Sequence, residues 1–153
     1  MRTLLCAIVV IVASLAMRPV EAASCSITRM VGVAFGGYDP ISGSGVEAAG
    51  EIAFVCTGVG ENDAVVVELG RGGTATNEHR ELSSGAWRLA YDLFLDAART
   101  VVWGDGSAGT GRYGPVVPPE GEEVSATVHG LIPGGQNVGV GSYADTVVVT
   151  LTF

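Results

Sequence analysis

No lysine occurs anywhere in the 153 residues, and charged residues of all kinds make up only 16% of the chain. Positive charge rests on eight arginines against sixteen acidic residues, and no basic cluster forms. Such a chain has little with which to hold a phosphate backbone or an anionic lipid surface, so neither nucleic acid nor membrane lipid is expected as a partner. The acidity reads as solubility. Histidine is limited to His79, in a polar stretch, and His129, beside Gly130. Neither accompanies a serine or cysteine motif of a nucleophilic site. After the first two dozen residues no sustained three-to-four spacing of apolar residues occurs, which excludes a helical domain.

What is present begins with an export signal. Met1 and Arg2 give a positive start, Leu4 to Ala16 is an almost unbroken apolar run, and Val20-Glu21-Ala22 supplies small residues where a signal peptidase reads. Thirteen residues span only about 20 Å as a helix, short of the roughly 30 Å of a bilayer core. Residues 1–22 therefore read as a cleaved leader rather than an anchor, with 23–153 as one domain and no insertion in the membrane. Removing the leader leaves six arginines against fifteen acidic residues, a net charge of −9. Cys6 leaves with it. Cys25 and Cys56 remain, and an even count in an oxidising compartment predicts one disulfide.

The rest of the chain is dominated by period-two alternation and β-branched runs broken by glycine, of which there are 23. Strands are expected over 26–35, 45–57, 64–69, 87–95, 100–103, 124–132 and 143–153, the last as the longest clean one. Leu93-Phe94-Leu95 interrupts the alternation of the strand over 87–95, so a bulge or a doubly buried stretch is expected there. Residues 104–121 read as a loop. Seven or so short strands in about 130 residues point to an all-β sandwich.

Candidate chemistry fails on inspection. The glycine-rich run from Gly104 lacks the lysine and following helix of a phosphate cradle, and its acidic spacing fails the calcium-loop pattern. Asp92 and Asp96, four residues apart on a strand, would stand about 13 Å from each other, too far for a glycosidase pair. Two cysteines without nearby histidines make no zinc site. No enzyme, cofactor or metal is expected.

The order of features resembles the spore coat protein U domain, shared with subunits of archaic chaperone–usher pili. The carrying residues are Cys25 with Phe35-Gly36-Gly37-Tyr38-Asp39-Pro40, then Val55-Cys56-Thr57, and Leu89 to Phe94. Val102-Trp103-Gly104-Asp105-Gly106 follows, and the run closes with His129 to Gln136 and Gly141-Ser142-Tyr143-Ala144-Asp145-Thr146-Val147. The resemblance implies an immunoglobulin-like β-sandwich lacking its final strand. It implies a structural subunit of a surface fibre or spore-coat-like layer, exported through the periplasm and completed by strand donation. The partners implied are a periplasmic chaperone, an outer-membrane usher and other pilin subunits. Val147, Val149, Leu151 and Phe153 share one face of the last strand and are the expected lining of the partner-strand groove. Four or five inserted side chains at about 1.5–3 kcal/mol each would give roughly 6–15 kcal/mol, comparable to a domain's whole stability. Cleavage near Ala22 leaves one or two residues ahead of Cys25, too few for a donor arm, so an acceptor-only or tip position is expected.

Two other readings stay open on the residues alone. A secreted carbohydrate- or surface-binding module would use Trp87 and Trp103 for stacking. A small outer-membrane barrel would explain Phe153 at the end of an alternating strand, against strands mostly shorter than nine residues.

Overall fold

Wherever the sequence alternates, it folds as strand, because period two places every second side chain on one face. The computed structural model describes residues 22–75 and 79–153. The expected leader, residues 1–22, lies almost wholly outside them. Eight strands occur among the described residues: β1 Ser24–Val31, β2 Val46–Thr57, β3 Val65–Leu69, β4 Arg80–Ser84, β5 Trp87–Phe94, β6 Tyr113–Val116, β7 Glu123–Ile132 and β8 Val149–Thr152. They form two antiparallel sheets, one ordered β1-β2-β7-β5-β4 and the other β6-β3-β8. Both sheets are open, so these strands make an all-β sandwich and not a closed barrel. No helix among the described residues is long and apolar enough to cross a membrane.

The core lies between the layers. Ile52, Phe54 and Cys56 of β2, Val65, Val67 and Leu69 of β3, Leu89, Tyr91 and Leu93 of β5, and Val128 and Ile132 of β7 meet there with Trp103. Phe94 is buried beside Leu93, so the broken alternation marks a doubly buried stretch, where Phe94 bridges Val102. Cys25 stands directly opposite Cys56 across β1 and β2, and the two are joined in a disulfide.

Several elements differ from the sequence expectation. β4 falls in a stretch that reads as polar, because its inward residue is Arg80, which is fully buried. Its Nε donates to the Gly70 carbonyl at 3.0 Å and Nη2 to the Trp103 carbonyl at 2.7 Å. β6 lies inside the expected loop. The first strand stops at Val31 rather than Phe35. Residues 143–153 are not one strand: Ala144 bridges Ser83 of the first sheet, and only 149–152 join the ladder with β3. The chain passes from one sheet's edge to the other's, and the same odd-numbered residues face inward throughout. Residues 100–103 likewise contribute isolated bridges rather than a strand.

Candidate functional site

The second layer has a gap in it. β8 pairs with β3 on one side only, and β1 pairs with β2 on one side only, among the described residues. After Val31 the chain leaves β1 and crosses onto the inward face of the first sheet. Two glycines make this approach fit. A Cβ at Gly50 would lie 2.5 Å from the Val31 carbonyl oxygen, and one at Gly130 would lie 2.6 Å from Val33 Cγ1 and 2.8 Å from the Phe35 ring. Phe35 rests edge-on against Tyr91, centroids 5.8 Å apart. At the far end the Gln136 N–H donates to the Tyr38 hydroxyl oxygen at 2.7 Å. Residues 32–38 thus carry no regular strand pairing and lie across the groove from the segment that leads into β8.

Between that stretch and residues 138–149 runs a groove in two halves, the narrower one the more apolar. The narrower, about 350 Å³, has Met30 to Val33 on one wall and Asp145, Thr146, Val147 and Val149 on the other, over a floor that includes Ile52, Tyr91, Leu93 and Val128. The wider, about 680 Å³, has Ala34 to Tyr38 facing Val138 to Ala144 over Leu82, Leu89 and Ile132. The walls run antiparallel, so a strand between them would be parallel to one and antiparallel to the other. Met30 shows the opening most directly. It stands opposite Ile52 in the β1–β2 ladder and so points inward, yet it is 62% exposed where Ile52 is 4%. An inward methionine left that exposed has a missing neighbour.

Of the residues expected to line a groove, Val147 and Val149 do. Leu151 packs half-buried on the core beside it, and Phe153 lies past β8, half exposed. Sequence reasoning missed the opposite wall, Met30, Val33 and Phe35, and the carboxylate Asp145. The pairing of Met30 with Ile52 depends on a bulge between Ile27 and Arg29, which alternation alone does not reveal. A signal was nonetheless present: the Phe35–Pro40 and Gly141–Val147 motifs sit on the two walls facing each other.

The remaining candidates are dispersed. Trp103 is corrected from a surface-stacking residue to a core residue: it is 0% exposed, its Nε1 donates to the Val67 carbonyl at 2.9 Å, and it stacks on Tyr113. A ring buried on both faces has none left for a sugar. Trp87 is half exposed at the β4–β5 turn. His79 is exposed and His129 stands on β7 opposite Phe94. Among the described residues no group of three or more metal-ligating side chains occurs. Burial pushes the Asp92 carboxyl above its ordinary value, and burial pushes the Arg80 guanidinium down. Arg80 donates to three backbone carbonyls in the core, and neither group lines the groove.

Comparison with known proteins agrees with this architecture. The Spore Coat Protein U domain matches residues 11–150. Protein U of Myxococcus xanthus is 35% identical over 148 residues, covering 85% of this chain and 78% of the relative. Among solved structures, a chain of the CsuC–CsuE chaperone–tip adhesion subunit pre-assembly complex, from archaic chaperone–usher Csu pili of Acinetobacter baumannii, matches with a TM-score of 0.56 at 21% identity. That match covers 86% of this chain and 40% of the other, so this chain spans less than half of its length. The structural likeness concerns the fold, an all-β immunoglobulin-like sandwich. With the family match over nearly the whole chain and the curated relative together, the chain belongs to the Spore Coat Protein U domain family.

Proposed function

We propose that this protein is a structural subunit of a bacterial surface fibre or spore-coat-like layer, and that it is completed by a β-strand lent from another protein. The observation that carries the reading is the gap between two unpaired edges, with Met30 pointing into it uncovered. An open apolar edge invites pairing with another chain, and strand addition supplies backbone hydrogen bonds along the edge with alternate side chains filling the groove. The relative with a similar fold is a member of a chaperone–subunit complex, which supports a periplasmic chaperone as first donor and another subunit as second. Passage through an outer-membrane usher, and a place at the cell surface or in an extracellular fibre, follow from that route. Residues 1–22 act in this reading as the export leader. With so few residues between the leader and Cys25, the subunit accepts a strand without giving one, as a tip unit does. The route involves no catalysis.

Co-expression with and without a cognate periplasmic chaperone tests the reading. The expected result is a soluble one-to-one complex with the chaperone and a much lower soluble yield in the cell without it. A soluble, fully folded monomer that gains nothing from the chaperone contradicts it. Tagged subunits located once per fibre would support the tip position, and regular spacing along the shaft would contradict it.

A second reading, a carbohydrate- or surface-binding module, is favoured by Trp87, half exposed with its indole nitrogen close against Gly139. Glycan or surface binding lost in a folded Trp87→Ala variant supports it, and unchanged binding removes it.

A further inference from the structure

A carboxylate stands at the junction of the groove's two halves. Asp145 lines both. Along residues 143–149 it occupies an inward place between Tyr143 and Val147, where the alternation otherwise supplies apolar side chains. Its position is fixed. The Gly73 N–H donates to Oδ1 at 3.0 Å and the Thr146 N–H at 2.8 Å, while the Tyr91 hydroxyl donates to Oδ2 at 2.7 Å. The turn at Gly72 is shaped around it: φ there is +65°, and a Cβ would lie 2.0 Å from Oδ2. Tyr91 stays a donor, because burial, followed by the bond to Asp145, pushes its hydroxyl far above its ordinary value.

A carboxylate offers about four lone-pair directions. Three are used, and the fourth, on Oδ2, is left for whatever covers the groove. No further bond to Asp145 comes from the described residues. The Arg80 guanidinium feels the Asp145 charge, but its Nε and Nη2 donate to the carbonyls of Leu69, Gly70 and Trp103, and its buried Nη1 makes no hydrogen bond to Asp145 or to any other described residue. No lining residue is a cation, and the other lining carboxylate, Glu51, accepts from Arg29 and Ser125. A covering strand would strip water from Asp145, and a purely apolar strand would leave that acceptor unsatisfied.

We propose that the strand received by this groove carries a hydrogen-bond-donating side chain, an amide or a guanidinium, over Asp145, flanked by apolar residues for the two halves. The inference rests on the strand-acceptance reading and adds the chemistry by which the partner is selected. Charge complementarity favours the same partner, since the chain carries a net charge of −8.

The test uses extended ten-residue peptides with valine at the inward positions and Arg, Gln, Met or Glu placed at each inward position in turn. Binding to the dilute, refolded chain is read by anisotropy of a labelled peptide. At one position only, Arg and Gln are expected to bind about tenfold tighter than Met, with Glu weakest, a difference of about 1.4 kcal/mol for Arg and Gln. In Asp145→Asn the preference of Arg over Met should fall to about twofold or less. In Tyr91→Phe, which frees a second direction on Oδ2, it should widen. Should either variant fail to fold, the peptide series on the unaltered chain decides alone. Equal binding of Met and Gln at every position overturns the proposal while strand acceptance stands. A preference for Arg alike at all positions also overturns it, since that reports only net charge. If no peptide of any composition binds, strand acceptance itself fails.

Discussion

The side of the sandwich around Trp103 and the side around Met30 are made of the same alternating strands, and they end differently. Around Trp103, β3, β5 and β6 bring Val67, Leu93 and Tyr113 into one cluster with the indole, whose N–H donates to the Val67 carbonyl, while the buried Arg80 donates through Nε and Nη2 to three other carbonyls. Around Met30 the floor is equally apolar, but the second sheet stops at β8 and residues 32–38 lie across the groove. One side has complete layers and the other lacks a strand's width of them. Burial on the closed side is intramolecular, while burial on the open side waits for a second chain, so a substitution's effect should depend on which side it strikes.

The largest effect is expected at the closed side. Trp103→Ala removes a wholly buried ring and should cost about 3–5 kcal/mol in urea unfolding, enough to unfold the isolated chain. Reduction of Cys25–Cys56, which spans 31 residues, should lower stability by about 3–4 kcal/mol on the chain-entropy estimate, seen as a shift in midpoint with reductant. At the border between the two sides, Gly50→Ala drives a Cβ into the Val31 carbonyl oxygen and should cost about 1–3 kcal/mol, because backbone, not a side-chain tip, must move. On the open side, Met30→Ala should change the isolated chain by less than about 0.5 kcal/mol, since the side chain touches little, but it should weaken capture of a partner strand. A large loss at Met30 in the isolated chain would break the comparison.

The smallest effects are with pH. The Val101 N–H first, then the Thr100 N–H and hydroxyl, hold Asp96 below the ordinary carboxylate value of 3.8. Its contribution is present above that value and is lost as pH falls through the lowered one, so Asp96→Asn should flatten the acid limb of stability. Asp92 is opposite in sign. Burial raises it, so the cost of ionising it is absent in acid and sets in as pH rises through the raised value. Asp92→Asn should therefore gain stability near neutral pH and lose that gain in acid.

Much of the fold was legible because it obeys period two. β2, β3, β5 and β7 fall within a residue or so of where alternation places them. β4 was hidden because its inward residue is a buried arginine, whose three carbonyl partners are distant in sequence. β6 was hidden among glycines and prolines that read as loop. For residues 143–153, alternation reports which face is inward but not which sheet the strand pairs with, so one apparent strand turned out to pass between two. The groove was half legible for the same reason. Val147 and Val149 could be named from their own strand, whereas Met30, Val33 and Phe35 depend on a bulge and on two glycines that let the chain cross layers.

Amide hydrogen exchange of residues 30–38 and 143–152, with and without a bound partner strand, tests the missing-strand account most directly. The free edges should exchange quickly in the isolated chain and become protected together when a strand is added, while β7, paired on both sides, stays protected throughout. If the amides of both edges were already as slow as those of β7 in the isolated chain, the gap would be closed without a partner and the account would fail.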